Sequence, residues 1–148
     1  MKNHIKAYGL IPYLKTKNGI KVLLCKSVSS KEKWGCLKGV KLKNEDPYLC
    51  AQRETFEECG IYFHTEIFED YFEQINYEKD ICIWTVNIEN IEDFDKYFIN
   101  NTLKSNYLSW ENSSVKFFNI KELPPLKKKQ KKLINEIKDS LKSKIQFH

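Results

Sequence analysis

The sequence predicts a mixed α/β domain that extends over residues 1–148. Two observations predict this class: segments rich in β-branched and aromatic residues flank a central acidic helix, and an amphipathic helix closes the chain. A third is that no internal repeat and no Gly/Ser linker divides the 148 residues, a length that suits one compact domain. Hydrophobic residues make up 41% and aromatic residues 14%, so the chain has enough material for a core.

Composition excludes several classes of protein. The mean hydropathy is −0.57 and no apolar run approaches the roughly 18 residues of a membrane-spanning helix, so no membrane partner is expected. Residues 1–15 lack the apolar run of a secretory signal. The cysteines are odd in number and form no CxxC or Cys/His cluster, which argues against disulfides and zinc: Cys25, Cys36, Cys50, Cys59 and Cys82. We therefore expect small buried thiols in a cytoplasmic protein.

The strands are predicted from composition and turn signals. Residues 5–14 and 20–26 form two strands joined by a turn at Asn18-Gly19. Residues 61–77 hold one or two strands, and residues 80–88 and 114–120 hold one each. Residues 91–103 form a short helix or an irregular excursion.

Two helices are predicted. The first begins at Asp46-Pro47, where Asp46 caps free amide groups, and it ends at Gly60. The second follows Pro124-Pro125 and has an apolar stripe that we expect to face the core rather than a partner: Leu126, Leu133, Ile134, Ile137, Leu141 and Ile145. Its outer face carries a lysine run, interpreted as a solvated helix face in preference to a nucleic-acid patch: Lys127, Lys128, Lys129, Lys131 and Lys132. The net charge of +5 is consistent with an anionic ligand.

The first helix carries the chemistry. Glu54, Glu57 and Glu58 are spaced i, i+3, i+4, which brings three carboxylates to one face, where they repel one another. Arg53 offsets part of this repulsion, and a hard divalent cation such as Mg²⁺ offsets more because it takes oxygen ligands. Mg²⁺ also neutralises charge that develops on phosphate oxygens. A solvated acidic helix face is the competing interpretation of the three glutamates alone.

The spacing around these glutamates resembles the Nudix box, Gly-x5-Glu-x7-Arg-Glu-U-x-Glu-Glu-x-Gly-U, in which U is a bulky apolar residue. The matching positions are Gly39, Glu45, Arg53, Glu54, Glu57, Glu58, Gly60 and Ile61, and Thr55 at the first U is the departure. The resemblance implies a Nudix-type α/β/α sandwich with a mixed sheet, an acidic catalytic helix and a C-terminal closing helix. It also implies Mg²⁺ or Mn²⁺ and a substrate in which a nucleoside diphosphate is linked to another group.

Residues outside the box are similar to those of asymmetrical diadenosine tetraphosphate hydrolases. The segment 34–39 looks like their Trp-x-x-Pro-Lys-Gly, with Leu37 in place of Pro, and residues 108–111 look like their Leu-Ser-x-Glu. Asn76-Tyr77, followed by Lys79 and Trp84, is similar to the segment before their central strand.

The resemblance implies roles for individual residues. Glu54, Glu57 and Glu58 would ligate the metal, and Arg53 would orient a glutamate. Glu111 would be a further ligand or the general base that deprotonates the attacking water. The implied substrate-binding residues are Lys38 and Lys79 for phosphates and Tyr77 for a base.

The predicted function is metal-dependent hydrolysis of a phosphoanhydride bond in a nucleotide, with diadenosine tetraphosphate as the leading substrate. One alternative removes pyrophosphate from the 5′ end of an RNA, since the same box serves both reactions. An alternative of another class is a Nudix-fold binding or regulatory module without turnover. Loss of the metal glutamates would indicate such a module, and here all three are present.

Overall fold

The computed structural model describes residues 4–146, and the side chains of residues 4–144. Within that range the chain forms a mixed eight-stranded sheet and two α-helices. The helices are α1 (Pro47–Cys59) and α2 (Lys128–Gln146). The strands are β1 (Ile5–Thr16), β2 (Gly19–Ser27), β3 (Leu37–Val40), β4 (Tyr71–Gln74), β5 (Lys79–Asn87), β6 (Phe98–Ile99), β7 (Thr102–Leu103) and β8 (Asn112–Asn119).

The strands are ordered β4-β5-β1-β2-β8-β7-β6, and β3 pairs with the first half of β1. β1 and β5 are parallel, whereas β1 is antiparallel to both β2 and β3. β1 can approach β3 closely at Gly9 because glycine has no side chain. A Cβ at this position would collide with the carbonyl oxygen of Leu37. This close pairing positions β3, which carries Lys38 and Gly39, beside the first helix.

Each helix covers one side of the sheet and closes its own core. On the α1 side, Cys50, Ala51 and Cys59 pack with residues such as Leu10 and Phe63, all fully buried. On the α2 side, the buried residues of the helix are at most 1% exposed and pack on Ile11, Ile83 and neighbours: Leu133, Ile134, Ile137 and Leu141. Burial on both sides of the sheet gives the α/β/α arrangement that the resemblance implied.

Most of the predicted elements are confirmed. The two first strands, the strand at residues 80–88, the strand at 114–120 and both helices are present with small shifts at their ends. Residues 61–77 hold one strand, β4, and residues 91–103 form a short 3₁₀ turn followed by the two-residue strands β6 and β7. β3 was not predicted, because four residues that include a lysine and a glycine have no strand signature of their own.

The prediction for the apolar stripe of α2 holds for Leu133, Ile134, Ile137 and Leu141. Leu126 is partly buried but precedes the helix, and the side chain of Ile145 lies outside the described residues. All five cysteines are free and buried, as expected of small core residues. No helix within the described residues combines the length and apolarity needed to cross a lipid bilayer.

Candidate active site

α1 begins and ends where its sequence predicts. Asp46 accepts a hydrogen bond from the backbone N–H of Leu49 at 3.2 Å, and Pro47 occupies the first turn. Gly60 ends the helix with a φ of 73°, a left-handed conformation that glycine adopts without strain. The helix is therefore held at both ends, and its side chains have a fixed relation to the sheet below.

The helix divides into a core face and a polar face. The core face consists of Cys50, Ala51, Thr55 and Cys59, all fully buried. Thr55, the departure from the Nudix box, has a hydroxyl with no hydrogen-bond partner among the described residues. It therefore fills the apolar position of the box by shape, because it is β-branched, rather than by its hydroxyl.

Arg53 is the centre of the polar face. Its Nε and Nη2 donate to the two carboxylate oxygens of Glu45 at 2.7 and 2.9 Å, a bidentate pair. Its Nη1 donates to Glu54 at 2.7 Å and to Glu57 at 3.2 Å. These contacts raise the pKa of Arg53, chiefly through Glu45, so the guanidinium stays charged. One cation thus neutralises part of the charge on three carboxylates.

Glu45 ties the loop before α1 to this arginine. Its carboxylate also accepts the backbone N–H of Leu42 at 3.0 Å. The hydrogen bonds from Arg53 are the main reason that the pKa of Glu45 falls to about 2, against the opposing effect of burial. Glu45 therefore orients Arg53 and the loop.

Glu54 lies directly over the backbone of β3. A Cβ at Gly39 would collide with the Glu54 carboxylate, so glycine at this position of the box leaves room for that side chain. The Glu54 side chain is 17% exposed, and burial raises its pKa despite the opposing contact with Arg53. Glu57 and Glu111 add to the rise through repulsion.

Glu58 is the most enclosed of the three helix glutamates. One of its carboxylate oxygens accepts the backbone N–H of Lys38 at 3.1 Å, and the thiol of Cys25 approaches the same oxygen at 4.0 Å. Burial raises the pKa of Glu58 to about 8, helped by repulsion from Glu54 and Glu111, whereas Lys38 lowers it. A positive charge near this carboxylate would stabilise its ionised form.

Glu111 comes to this cluster from the loop before β8. Its repulsion acts on the pKa values of both Glu54 and Glu58 although more than 50 residues separate it from them in sequence. The backbone carbonyl of Glu111 accepts the N–H of Val28 at 3.0 Å, which fixes the loop beside the end of β2, and the residue is exposed. The structure thus places Glu111 within electrostatic range of Glu54 and Glu58, while Arg53 links Glu54 to Glu57.

These side chains are not arranged as a coordination sphere. Within residues 4–146, no three His, Cys, Asp or Glu side chains converge as metal ligands do. Arg53 engages Glu54 and Glu57, and the backbone of Lys38 engages Glu58. The donor chemistry nevertheless fits a hard divalent cation, because all the groups are carboxylates and burial and mutual repulsion raise two of their pKa values.

The three residues nominated for substrate binding lie outside the carboxylate cluster. Leu37 packs in the α1 core, so alternation along β3 directs Lys38 to the opposite side of the sheet. Lys79 shares its side of β5 with Ile81 and Ile83 of the α2 core. Tyr77, 84% exposed, lies in the turn that joins β4 and β5.

Sequence reasoning missed the contribution of the start of α2. The backbone N–H of Trp34 donates to Pro125, and that of Lys127 donates to Trp34, each at 2.9 Å. The side-chain oxygen of Gln130 accepts the N–H of Cys36 at 2.7 Å in a buried contact. The signal available in the sequence was Gln130, a polar residue on the core side of a turn that otherwise consists mainly of lysines.

The acidic helix and the glycine-bearing strand both lie within the region that the family comparison covers. A NUDIX domain model matches residues 4–137. The chain belongs to the Nudix family and is a hydrolase of the class that acts on pyrophosphate bonds, a class that generally uses divalent metals. No protein of curated function matches the sequence significantly.

Solved structures agree with this assignment. An Ap4A hydrolase from C. elegans is 27% identical with a TM-score of 0.57, and the alignment covers 80% of this chain and 83% of that one. A binary complex of a C. elegans Ap4A hydrolase gives 26% identity, a TM-score of 0.57 and coverage of 79% and 81%. The NUDIX domain of Shewanella oneidensis NrtR, complexed with ADP ribose, has a TM-score of 0.65 and coverage of 95% and 90%, but its 13% identity shows only a common fold.

Proposed function

We propose that this Nudix hydrolase cleaves dinucleoside polyphosphates, with diadenosine tetraphosphate (Ap4A) as the leading substrate, and that it uses Mg²⁺ or Mn²⁺. The observation that carries the proposal is the influence of the Glu111 charge on Glu54 and Glu58, because it links the box to a distant segment, residues 108–111, that resembles Ap4A hydrolases. The similarity to the C. elegans Ap4A hydrolase supports the same substrate class.

Glu54, Glu57, Glu58 and Glu111 are the residues we propose to hold the metal. When bound, the cation supplies Lewis acidity toward the phosphate oxygens and neutralises the negative charge that grows in the transition state. Arg53 already pairs with Glu54 and Glu57, so it holds these side chains in place in the free protein. Glu45 in turn fixes the guanidinium plane of Arg53.

Glu111 is exposed and is our candidate for the base that takes a proton from water. The water oxygen forms a bond to one phosphorus, the bond from that phosphorus to its bridging oxygen breaks, and one nucleotide leaves with that oxygen. Lys38 and Lys79 would neutralise phosphate charge during this displacement, and Tyr77 would stack on a base. No covalent intermediate on the protein is required.

The alternative substrate is an RNA with a 5′ triphosphate, favoured by the exposed lysines at the start of α2. A binding module without turnover is the weaker proposal, since all three helix glutamates of the box are retained. The five free, buried cysteines support a location in the reducing cytoplasm.

The test is a substrate panel with Mg²⁺ and with Mn²⁺: Ap4A, 5′-triphosphate RNA, nucleoside triphosphates, ADP-ribose and nucleotide sugars. We expect the highest kcat/KM with Ap4A and no turnover above background in a Glu57→Gln, Glu58→Gln double variant. A higher kcat/KM for the 5′-triphosphate RNA than for Ap4A would show that the RNA is the preferred substrate. A well-folded chain without turnover of any compound, but with nucleotide binding, would favour the module.

A further inference from the structure

Lysines from three separate segments lie near one another on the α2 side of the sheet, where the charges of Lys38, Lys127 and Lys129 act on Lys79. We infer that Lys127 and Lys129 extend the site defined by Lys38 and Lys79 into a subsite for the phosphates of a polyphosphate chain that are not attacked. The subsite would select substrates with more than two linked phosphates. This inference rests on the proposed function, which it makes more specific.

Hydrogen bonds fix the convergence of the three segments. The backbone exchange between Trp34 and the residues Pro125 and Lys127 joins the start of α2 to the segment that leads into β3. Asn76 joins the start of α2 to the β4–β5 turn, because its side-chain amide donates to the carbonyls of Lys79 and Lys129, both at 3.0 Å. The backbone anchors of Lys79, Lys127 and Lys129 are thus all part of one network.

The charges in this network are poorly neutralised. Within the described part of the chain, Lys38, Lys79 and Lys127 form no ion pair, and Lys129 has only a 3.7 Å contact with Glu78 in which both side chains are mostly exposed. The pKa of Lys79 is lowered, first by Lys38, then by burial, then by Lys129 and Lys127, and Glu78 opposes these effects. An anion placed among these ammonium groups would relieve their repulsion.

The location next to α2 adds to the positive potential. The first turn of α2 contains no acidic residue, so lysines surround the positive end of the helix dipole, an unfavourable arrangement in isolation. The cluster also lies near the carboxylates, since Lys38 and Lys127 both act on the thiols of Cys25 and Cys36, and Cys25 contacts Glu58. A phosphate chain is a ligand with the charge density that such a group of lysines binds.

The lysine run itself provides the test and its matched control. The K127Q/K129Q variant and the K131Q/K132Q variant remove the same charge from neighbouring positions, but only the first pair belongs to the cluster. With Ap4A and Mg²⁺, we expect K127Q/K129Q to raise KM about tenfold and to leave kcat within about twofold, as loss of ground-state binding does. KM for ADP-ribose, which has two phosphates, should change less than about twofold in both variants.

Two further readouts separate phosphate binding from a structural role. K127R/K129R should restore KM, and K127Q/K129Q should show a weaker dependence of KM on salt than wild type because fewer phosphate contacts are made. An equal rise of KM in the two glutamine variants, or an equal rise for Ap4A and ADP-ribose, would overturn the subsite.

A binding measurement keeps this inference distinct from the proposed function. If wild type hydrolyses no dinucleoside polyphosphate, the proposed function fails, and calorimetric titration with inorganic tripolyphosphate in chelator still tests the subsite. About tenfold weaker binding in K127Q/K129Q than in K131Q/K132Q supports it. Equal affinity in the two variants, or no binding by wild type, overturns it.

Discussion

Arg53 determines how the acidic side chains of α1 are arranged in the free protein. It pairs in a bidentate manner with Glu45 and reaches Glu54 and Glu57 through its remaining nitrogen. This arrangement offsets the repulsion of two of the three helix carboxylates, and the third, Glu58, accepts the backbone N–H of Lys38 instead. In our proposal, a divalent cation would engage the glutamates that Arg53 holds in the free protein.

Glu57 is the glutamate whose replacement tests the metal site with least risk to the fold, since its side chain is 54% exposed. We expect Glu57→Gln to lower kcat by about 10²-fold or more at an unchanged free energy of unfolding, because positioning and charge stabilisation by the metal supply several kcal/mol. Steady-state kinetics with Mg²⁺ and urea unfolding provide the two measurements. The control is Glu66→Gln, an exposed acid outside the cluster; normal turnover in Glu57→Gln would contradict the assignment.

Replacing Glu111 tests whether this distant carboxylate takes part in the reaction. As a base or a ligand it would act mainly in the transition state, so Glu111→Gln should reduce kcat by about 10²- to 10⁴-fold and affect KM far less. Stability should change little because the side chain is exposed. Glu122→Gln, another exposed acid, should behave as wild type. If both variants keep kcat within about twofold, the distal group lies elsewhere, and residues 89–95 are the next acidic segment to mutate.

The lowered pKa of Glu45 predicts that the stability of the fold depends on pH. Its folded-state pKa of about 2 lies below the ordinary value of 4.5, so its contribution is complete above about pH 4.5 and is lost as the pH falls toward 2. Solvent around Arg53 reduces the effect, and we expect Glu45→Gln to cost about 1–2 kcal/mol at pH 6. Urea unfolding at pH 6 and pH 3 should show a smaller difference between variant and wild type at the lower pH. A constant difference would exclude the ionised pair as its source.

At the scale of elements, α2 combines a packed apolar face with a cationic start. Its buried residues close the second core, while Gln130 and the backbone at Lys127 bind the segment that leads to β3. The helix therefore stabilises the fold, and we propose that its first lysines also bind phosphates. The lysine run is mostly exposed, as the interpretation of a solvated helix face predicted.

The packing role of α2 is tested at Ile137, which is 1% exposed. Ile137→Ala should lower the free energy of unfolding by about 2–5 kcal/mol, because it removes buried methyl groups and leaves a cavity. Glu136→Ala, an exposed neighbour on the same helix, should change it by less than about 0.5 kcal/mol. Thermal or urea unfolding measures both. An Ile137→Ala variant as stable as wild type would mean that this face of α2 is not a core.

At the scale of the whole molecule, the two cores of the described residues consist mainly of packed apolar side chains. Apolar residues close both sides of the sheet, and Arg53 partly neutralises the acidic face. The protein should consequently fold in the absence of a divalent cation, unlike small domains whose folding free energy comes from the metal.

Chelation should thus separate activity from stability. EDTA should abolish turnover, Mg²⁺ or Mn²⁺ should restore it, and the chelated protein should still unfold cooperatively. Saturating Mg²⁺ should stabilise the folded state by preferential binding, by about 2.7 kcal/mol at 100 times the Kd. The melting temperature should therefore rise by roughly 5–10 °C. In Glu57→Gln this increase should be reduced. Loss of the folded state in EDTA would contradict the metal-independent core.

The sequence by itself determined the family, the two helices and most of the strands. These depend on local signals: Asp46-Pro47 and Gly60 define the ends of α1, Asn18-Gly19 defines a turn, and hydrophobic periodicity identifies the buried face of α2. Helical spacing placed Glu54, Glu57 and Glu58 on one face, whereas the complete box was identified by its resemblance to the Nudix family.

Only the tertiary structure decided which distant groups meet. β3 exists through its pairing with β1 at Gly9, a contact that a four-residue segment cannot reveal alone. The approach of Glu111 to Glu54 and Glu58, and that of Lys127 and Lys129 to Lys79, result from the order of strands and the docking of α2. Local periodicity describes the conformation of each element, whereas charges interact across space, so the electrostatics of the site depends on the packing of the complete sheet.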